Sequence, residues 1–167
     1  MNRIELVREA VDEILLRMAD AQERRCGYLH LYGVSQACAL IALKRNENAE
    51  LLTVAGMLHD ISSYQTMETR GHAKKSAVMA REMLTALRCF SGEEMDAICG
   101  AIRNHSSKGG KFSAFDEVLI DADVLQHCLY NPLFEVAEKE KSRFEKLRLE
   151  LGLPSHTIHG GSSVKST

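Results

Sequence analysis

The chain has very few helix-breaking residues. Its only two prolines, Pro132 and Pro154, lie near the C-terminus. Proline interrupts helices, so residues 1–131 can form helices without that interruption. The sequence also has no run of alternating β-branched residues, which is the pattern of a half-buried strand. We therefore predict an all-α fold.

The cysteines do not form a pattern typical of cross-links or zinc sites. The chain has five, an odd number, widely spaced and without a Cys-x-x-Cys pair: Cys26, Cys38, Cys89, Cys99 and Cys128. This spacing argues against both a disulfide framework and a zinc knuckle. We expect reduced thiols packed in a core.

An excess of one charge and a long apolar run are also missing. The net charge is -2, so no global attraction to a nucleic-acid polymer or to a membrane surface is expected. Residues 1–16 carry charges throughout, unlike a signal peptide, and no apolar run approaches membrane-spanning length. These absences predict a cytoplasmic protein that holds any anionic ligand in a local site. The oligomeric state is left open, a homodimer included.

Apolar residues recur at three- and four-residue steps along most of the chain, which is the period of an amphipathic helix. We predict one helical bundle of six or seven helices over residues 1–151 and a flexible Gly/Ser-rich tail over residues 152–167. The predicted helices cover 4–25, 28–43, 49–60, 72–87, 92–105, 116–130 and 132–151, with a polar connection at 61–71. Ser91 and Glu94 form a predicted capping box, and the paired glycines of residues 106–111 predict a basic loop.

Several histidines and aspartates interrupt apolar helix faces. In "AGMLHDISSY", His59 continues a buried stripe and Asp60 follows it. An unpaired buried aspartate would cost several kcal/mol, roughly, so it requires a cation or several hydrogen-bond donors. His30 and Asp123 interrupt two further apolar stripes, and we expect His30, His59, His72 and His105 each to lie at a helix end. Converging helix ends would bring such side chains into one cavity.

His30, His59, Asp60 and Asp123 together would give a nitrogen and oxygen donor set. Such a set suits a divalent transition metal, manganese, iron, cobalt, nickel or zinc, and would also accept magnesium.

The order His30, His59-Asp60 and Asp123 resembles the signature of the HD-domain metal-dependent phosphohydrolases, in particular their small single-domain branch. The resemblance covers about residues 26–130. It rests on "YLHLYGVSQACALIA", "LLTVAGMLHDI" and "VLIDADVLQ", which are similar in context as well as in the four residues. It implies an HD-type helical bundle that binds metal.

The same resemblance implies a second metal ion. Members with two metals carry additional histidines between the His-Asp pair and the last aspartate, where this chain has His72 and His105. His30, His59 and Asp123 would then complete one site, His72 and His105 the other, and Asp60 would bridge them. A site with one metal is the competing interpretation.

Two further residues near Asp123 are not predicted as ligands. Asp121 cannot point the same way as Asp123, because two residues turn a helix by roughly 200 degrees. We therefore expect Asp121 to support the metal ligands or to cap a helix. His127, one helical turn after Asp123, is expected at the helix surface, with orientation of Asp123 as the alternative. His156 and His159 fall in the predicted tail.

Basic and aromatic residues close to the predicted ligands are candidates for substrate binding. Lys108 and Arg103 flank His105, Lys74 follows His72, and Tyr64 follows the His-Asp pair. For each lysine and arginine the alternative is an ordinary solvated charge.

The resemblance implies hydrolysis of a phosphomonoester or phosphoanhydride, with a nucleotide as the expected small-molecule substrate. Water activated by the metal would attack phosphorus, with His59 and Asp60 as the catalytic pair and without a covalent enzyme intermediate. The alternatives are a non-catalytic module that binds a nucleotide or metal as a sensor or interaction protein, and a purely structural metal.

Overall fold

The computed structural model describes residues 2–107 and 112–154. In these ranges the chain forms seven helices of ten residues or more and one short helix, and it forms no strand. The all-α prediction is confirmed. The helices are α1 (Arg3–Leu16), α2 (Ala21–Arg45), α3 (Ala49–Leu58), α4 (Ile61–Thr66), α5 (His72–Leu87), α6 (Gly92–Asn104), α7 (Ala114–Tyr130) and α8 (Glu138–Glu150).

Helix α2 is at the centre of the bundle, packed against α3 on one side and α7 on another, while α6 packs against both α3 and α7. Large apolar side chains of these four helices are fully buried: Leu31, Ile41, Leu52, Leu58, Ile98, Ile102 and Leu119. Each such residue contributes about 1.5–3 kcal/mol relative to an exposed one. The helices that carry the predicted metal ligands are thus held by the main core.

Helices α2 and α3 touch at a glycine. A Cβ atom on Gly56 would lie 2.7 Å from the Cα of Ser35, closer than real Cβ contacts allow. The hydroxyl of Ser35 donates a hydrogen bond to the carbonyl of Thr53 at 2.9 Å, which adds a second link between the two helices. The absence of a side chain at residue 56 therefore sets the distance between α2 and α3.

The predicted boundary between the first two helices was wrong. The break falls at residues 17–20, and Asp20 begins α2 by accepting hydrogen bonds from the backbone N–H groups of Gln22 and Glu23. Gly27 does not end a helix. A Cβ there would lie 2.7 Å from Leu15 and 3.0 Å from Tyr64, so this glycine serves close packing inside α2.

The predicted polar connection at 61–71 contains a helix. Ile61 and Ser62 of α4 are buried, and the Ser62 hydroxyl lies 2.9 Å from that of Ser76 on α5. The polar residues of this segment therefore misled the prediction, since part of their hydrogen bonding is internal. By contrast, α5 has the predicted limits, and the capping box of Ser91 and Glu94 is present at the start of α6.

The last helix begins later than predicted, at Glu138 and not at residue 132. The side chain of Asn131 accepts a hydrogen bond from the N–H of Leu133, which closes a turn in place of a helix start. The predicted tail is described only as far as Pro154, and His156 and His159 lie outside the described residues. The predicted domain limits stay a prediction.

Helix α2 is the one described helix long and apolar enough to cross a membrane by length and composition. This is weak evidence for a membrane span, because the core helix of a globular bundle passes the same test. Leu31, Val34, Cys38 and Ile41 on α2 are fully buried within the bundle. All five cysteines are free, as predicted; Cys38, Cys99 and Cys128 are buried in the core, whereas Cys26 and Cys89 are only part-buried.

Candidate metal centre

The predicted ligands come from five helices that converge. His59 and His105 are the C-cap residues of α3 and α6, and His72 is the first residue of α5. His30 was also predicted at a helix end, which was wrong, because α2 continues on both sides of it. His30 and Asp123 instead project from the middle of α2 and α7 toward the ends of the other helices.

His30 and His59 form the first histidine pair. Their Nε2 atoms lie 3.0 Å apart. The Nδ1 of His30 donates to the Oε1 of Gln126 at 2.9 Å, and the Nδ1 of His59 donates to the carbonyl of Gly56 at 2.8 Å. Both Nε2 atoms therefore point at one space, in which the neutral rings can bind a cation.

His72 and His105 form a second pair with the same arrangement. Their Nε2 atoms lie 3.3 Å apart. Their Nδ1 atoms donate to the main-chain carbonyls of Thr69 at 2.8 Å and Ile102 at 2.6 Å. A carbonyl can only accept, so the protons stay on Nδ1 and the Nε2 atoms are free to bind a cation.

Asp60 lies between the two pairs and directs one carboxylate oxygen at each. Its Oδ2 is 3.6 Å from His30 and 3.8 Å from His59, while its Oδ1 is 3.5 Å from His72 and 3.4 Å from His105. Burial alone would raise the pKa of Asp60, but the imidazoles, first of all His59, hold it well below its usual range. The carboxylate is therefore ionised at neutral pH.

Asp123 adds a second carboxylate to the first pair. Its Oδ1 is 3.7 Å from the Nε2 atoms of both His30 and His59. Burial raises the pKa of Asp123, whereas the imidazoles, His59 foremost, lower it, to about 2 overall. Among the described residues, the Oδ1 atoms of Asp60 and Asp123 are buried without a hydrogen-bond partner. Buried anionic oxygens of this kind require a cation.

The donor chemistry fits divalent metal ions. Groups of three ligand atoms lie within 4.8 Å of one another, among them His30–His59–Asp60 and Asp60–His72–His105, which share Asp60. Imidazole nitrogen with carboxylate oxygen is a set that first-row transition metals accept. The residues that the sequence predicts as ligands are thus brought together in one cluster.

Sequence reasoning underestimated two residues of α7. The side chain of Gln126 accepts a hydrogen bond from His30, as described above. His127 stacks on His30 with ring centroids 5.3 Å apart, and its Nε2 lies 3.4 Å from the Oδ1 of Asp123. The spacing of Gln126 and His127 from Asp123, three and four residues along a helix, could have indicated both.

Asp121 does not belong to this cluster. It is buried on the other side of α7, where its carboxylate forms ion pairs with Arg45 of α2 and Arg143 of α8. Arg45 also pairs with Glu150, and Arg143 with Glu117. Asp121 therefore holds α8 against the bundle through these ion pairs. This role differs from the two predicted ones, support of the metal ligands and helix capping.

A cavity of about 530 Å³ opens onto the cluster. It is lined by Asp60, His72, His105, Asp123 and His127, together with Ser106, Ser107, Ile120, Val124, Lys139, Glu140 and Arg143. Helix α8 thus supplies one wall, including two cations. No sequence pattern identifies these α8 residues, because they lie far along the chain from the ligands.

The predicted substrate-binding residues lie elsewhere or outside the described part. Arg103 and Lys74 are exposed and do not line the cavity, and the part-buried ring of Tyr64 packs 6.4 Å from that of His30, also without lining it. Lys108 falls outside the described residues. Among the lysines and arginines of residues 2–107 and 112–154, Lys139 and Arg143 line the cavity.

Comparison with known proteins gives one family. The profile of the HD domain matches residues 27–128, which include every predicted ligand. Neither the curated proteins nor the solved structures contain a significant match to the chain. The family comprises metal-dependent phosphohydrolases, and its all-α fold is the one observed. On the matched length and the clustered histidines and aspartates, this chain belongs to the HD domain family.

Proposed function

We propose that the protein is a metal-dependent phosphohydrolase that cleaves a phosphomonoester or phosphoanhydride bond of a nucleotide. The observation that carries the proposal is the position of Asp60, whose two oxygens each face a pair of histidines with free Nε2 atoms. A shared carboxylate of this kind is suited to two ions that act on one substrate.

The ligands divide between two ions. His30, His59, Asp60 and Asp123 would hold one, and Asp60, His72 and His105 would hold the other. When bound, such ions polarise phosphoryl oxygens and provide a nucleophilic water at neutral pH. Manganese, iron, cobalt, nickel or zinc would suit the donors, and magnesium would be accepted less readily because of its preference for oxygen.

The surrounding residues prepare the ligands for this task. Four Nδ1–H bonds fix the ring orientation of His30, His59, His72 and His105 before an ion arrives. Their acceptors are three main-chain carbonyls and the side chain of Gln126. A ligand set that is already oriented loses little conformational entropy when it binds.

The cavity wall supports binding of a phosphorylated small molecule. Lys139, whose ammonium lies 3.8 Å from Glu140, and Arg143, which also pairs with Glu117 and Asp121, add positive charge to this wall. The hydroxyls of Ser106 and Ser107 can donate hydrogen bonds to phosphate. Ile120 and Val124 supply apolar surface for a base. The volume of about 530 Å³ lies within the ordinary range of small-ligand sites, roughly 300–1,000 Å³. We propose a soluble nucleotide as substrate, not a nucleic-acid polymer or membrane lipid, and a reaction in the cytoplasm.

The test combines metal analysis with a substrate screen. Purified protein is loaded in turn with manganese, cobalt and magnesium and assayed for bound metal. It is then offered nucleoside mono-, di- and cyclic phosphates and dinucleotides, and phosphate release is measured.

We expect close to two ions per chain and hydrolysis of at least one nucleotide class. Absence of metal binding would refute the site. Two bound ions with nucleotide binding but no hydrolysis in any class would refute the enzyme and favour a sensor.

A further inference from the structure

His127 lies between two carboxylates from different helices. Its Nε2 is 3.4 Å from the Oδ1 of Asp123 on α7, and its Nδ1 is 3.3 Å from the Oε1 of Glu140 on α8. The side chain of Glu140 is only 14% exposed, although it belongs to a charged surface helix. The part-buried carboxylate on α8 therefore faces the imidazole, and the same Oε1 lies 3.8 Å from the ammonium of Lys139.

The proton positions on His127 have a consequence for Asp123. Donation of the Nδ1 proton to Glu140 leaves a lone pair on Nε2, and this lone pair then faces the carboxylate of Asp123. Two acceptors in that arrangement repel each other unless a cation lies near both. The Oδ1 of Asp123 has no hydrogen-bond partner among the residues described, so its negative charge is available for such a cation.

Further geometry connects His127 with a ligand of the first pair. The ligand atoms of His30, Asp123 and His127 lie within 4.8 Å of one another. The rings of His30 and His127 differ by only 10° in orientation, with centroids 5.3 Å apart. His127 thus presents the same ring nitrogen as the other four histidines to the same cluster, from the side of the cavity.

We propose that His127 is an additional metal ligand, oriented by Glu140, for the ion beside Asp123. The proposal rests on the metal centre of the proposed function. It extends that centre beyond the matched family segment, because Glu140 lies outside residues 27–128. A carboxylate that accepts the distal N–H of a ligating histidine raises the basicity of the ligand and fixes its orientation. Helix α8 would then complete the metal centre as well as the cavity wall.

The competing arrangement needs no contact between His127 and metal. A doubly protonated His127 would donate one proton to Glu140 and the other to Asp123. In that case, removal of the imidazole would leave the coordination of the ion unchanged. Cobalt(II) distinguishes the two, since its visible absorption depends on the number and type of its ligands.

The experiment compares the cobalt-loaded wild-type chain with His127→Ala and Glu140→Gln. Glu138→Gln is the matched control, since Glu138 is on the same helix, is 86% exposed and pairs only with Lys141 among the described residues. Cobalt content, cobalt affinity by chelator competition and the visible spectrum are measured. Helix content of each variant in chelator reports folding.

We expect His127→Ala to change the cobalt spectrum and to weaken one of two cobalt sites, and Glu140→Gln to weaken it by about 10- to 100-fold. Glu138→Gln should match wild type. If His127→Ala leaves spectrum and affinity unchanged while two ions still bind, the added ligand is refuted and the proposed metal centre stands. A wild-type chain that binds no cobalt refutes the metal centre itself. Should His127→Ala lose helix content, His127→Asn provides the same comparison with a smaller change in polarity.

Discussion

The Nε2 atoms of His30 and His59 lie 3.0 Å apart and point at one space. The Nδ1 of each ring donates its proton elsewhere, to Gln126 and to the carbonyl of Gly56. His72 and His105 repeat this relationship, with their Nε2 atoms 3.3 Å apart. The fold therefore brings the metal-binding nitrogens of each pair together before an ion is bound.

Chelation of the metal should lower the stability of the folded chain. A ligand that binds only the native state stabilises it by about 2.7 kcal/mol when present at 100 times its Kd. For a chain of this length, that corresponds to a fall in Tm of about 5–10 °C per site. Calorimetry of the loaded and the chelated protein gives the difference. Equal Tm values, with metal shown to be bound, would contradict it.

Asp60→Asn should reduce bound metal to less than one ion per chain and slow hydrolysis by roughly a thousand-fold, which is about 4 kcal/mol. The reason is that an amide removes the negative charge that both histidine pairs face. Metal analysis and the rate of phosphate release measure the two effects. Retention of two ions and of the wild-type rate would exclude the shared carboxylate.

His72→Ala and His105→Ala should each remove one ion and leave the other. The first histidine pair keeps its own carboxylate, Asp123, so metal content should fall from two ions toward one. Titration with cobalt under anaerobic conditions counts the sites. Loss of both ions in either variant would indicate one joint site in place of two.

Gln126 should act on metal affinity through His30. In Gln126→Leu the side chain keeps its bulk against Gly33 but loses the acceptor for the Nδ1 proton, and we expect about 10- to 100-fold weaker binding. Gln126→Glu keeps an acceptor and should restore affinity. Chelator competition measures both. Equal affinity in wild type and Gln126→Leu would show that His30 needs no such support.

Asp121→Asn should destabilise the fold while leaving metal content unchanged. Its carboxylate is buried between Arg45 and Arg143, and both arginines keep part of their exposure to solvent, so we expect a loss of about 2 kcal/mol in the free energy of unfolding. Urea unfolding and metal analysis test the two statements. Loss of metal without loss of stability would show that Asp121 supports the metal centre and not the fold.

Local patterns predicted much of the fold. The capping box of Ser91 and Glu94 and the apolar period of α5 depend on residues close in the chain, and both are present. The errors lie where a residue takes part in close packing or in a turn that the local pattern does not show. The predicted break between residues 25 and 28 included Gly27, whereas the close approach of Gly27 to Leu15 and Tyr64 decides its place inside α2. The helix start predicted at residue 132 lies in a turn that the side chain of Asn131 closes.

Part of the ligand cluster could be anticipated because His30, His59 and Asp123 interrupt apolar faces, whereas His72 and His105 were predicted only from the family resemblance. The cavity wall could not be anticipated, since Lys139 and Arg143 lie on a helix whose docking depends on the buried ion pairs of Asp121. Those pairs join residues far apart in sequence, with no pattern that identifies the partners. Glu140 looks like any other charge in a solvated helix until its burial beside His127 is known.

Gly56 has a consequence for the choice of ion. The missing Cβ of Gly56, which would lie 2.7 Å from the Cα of Ser35, lets α2 and α3 come this close, and the carbonyl of Gly56 also accepts a hydrogen bond from His59. The distance between His30 and His59 therefore depends on the contact between the backbones of α2 and α3, about one helical turn from His59. Selectivity for ionic radius would then be controlled at a residue that has no ligand atom of its own, and a methyl group placed there would favour larger ions.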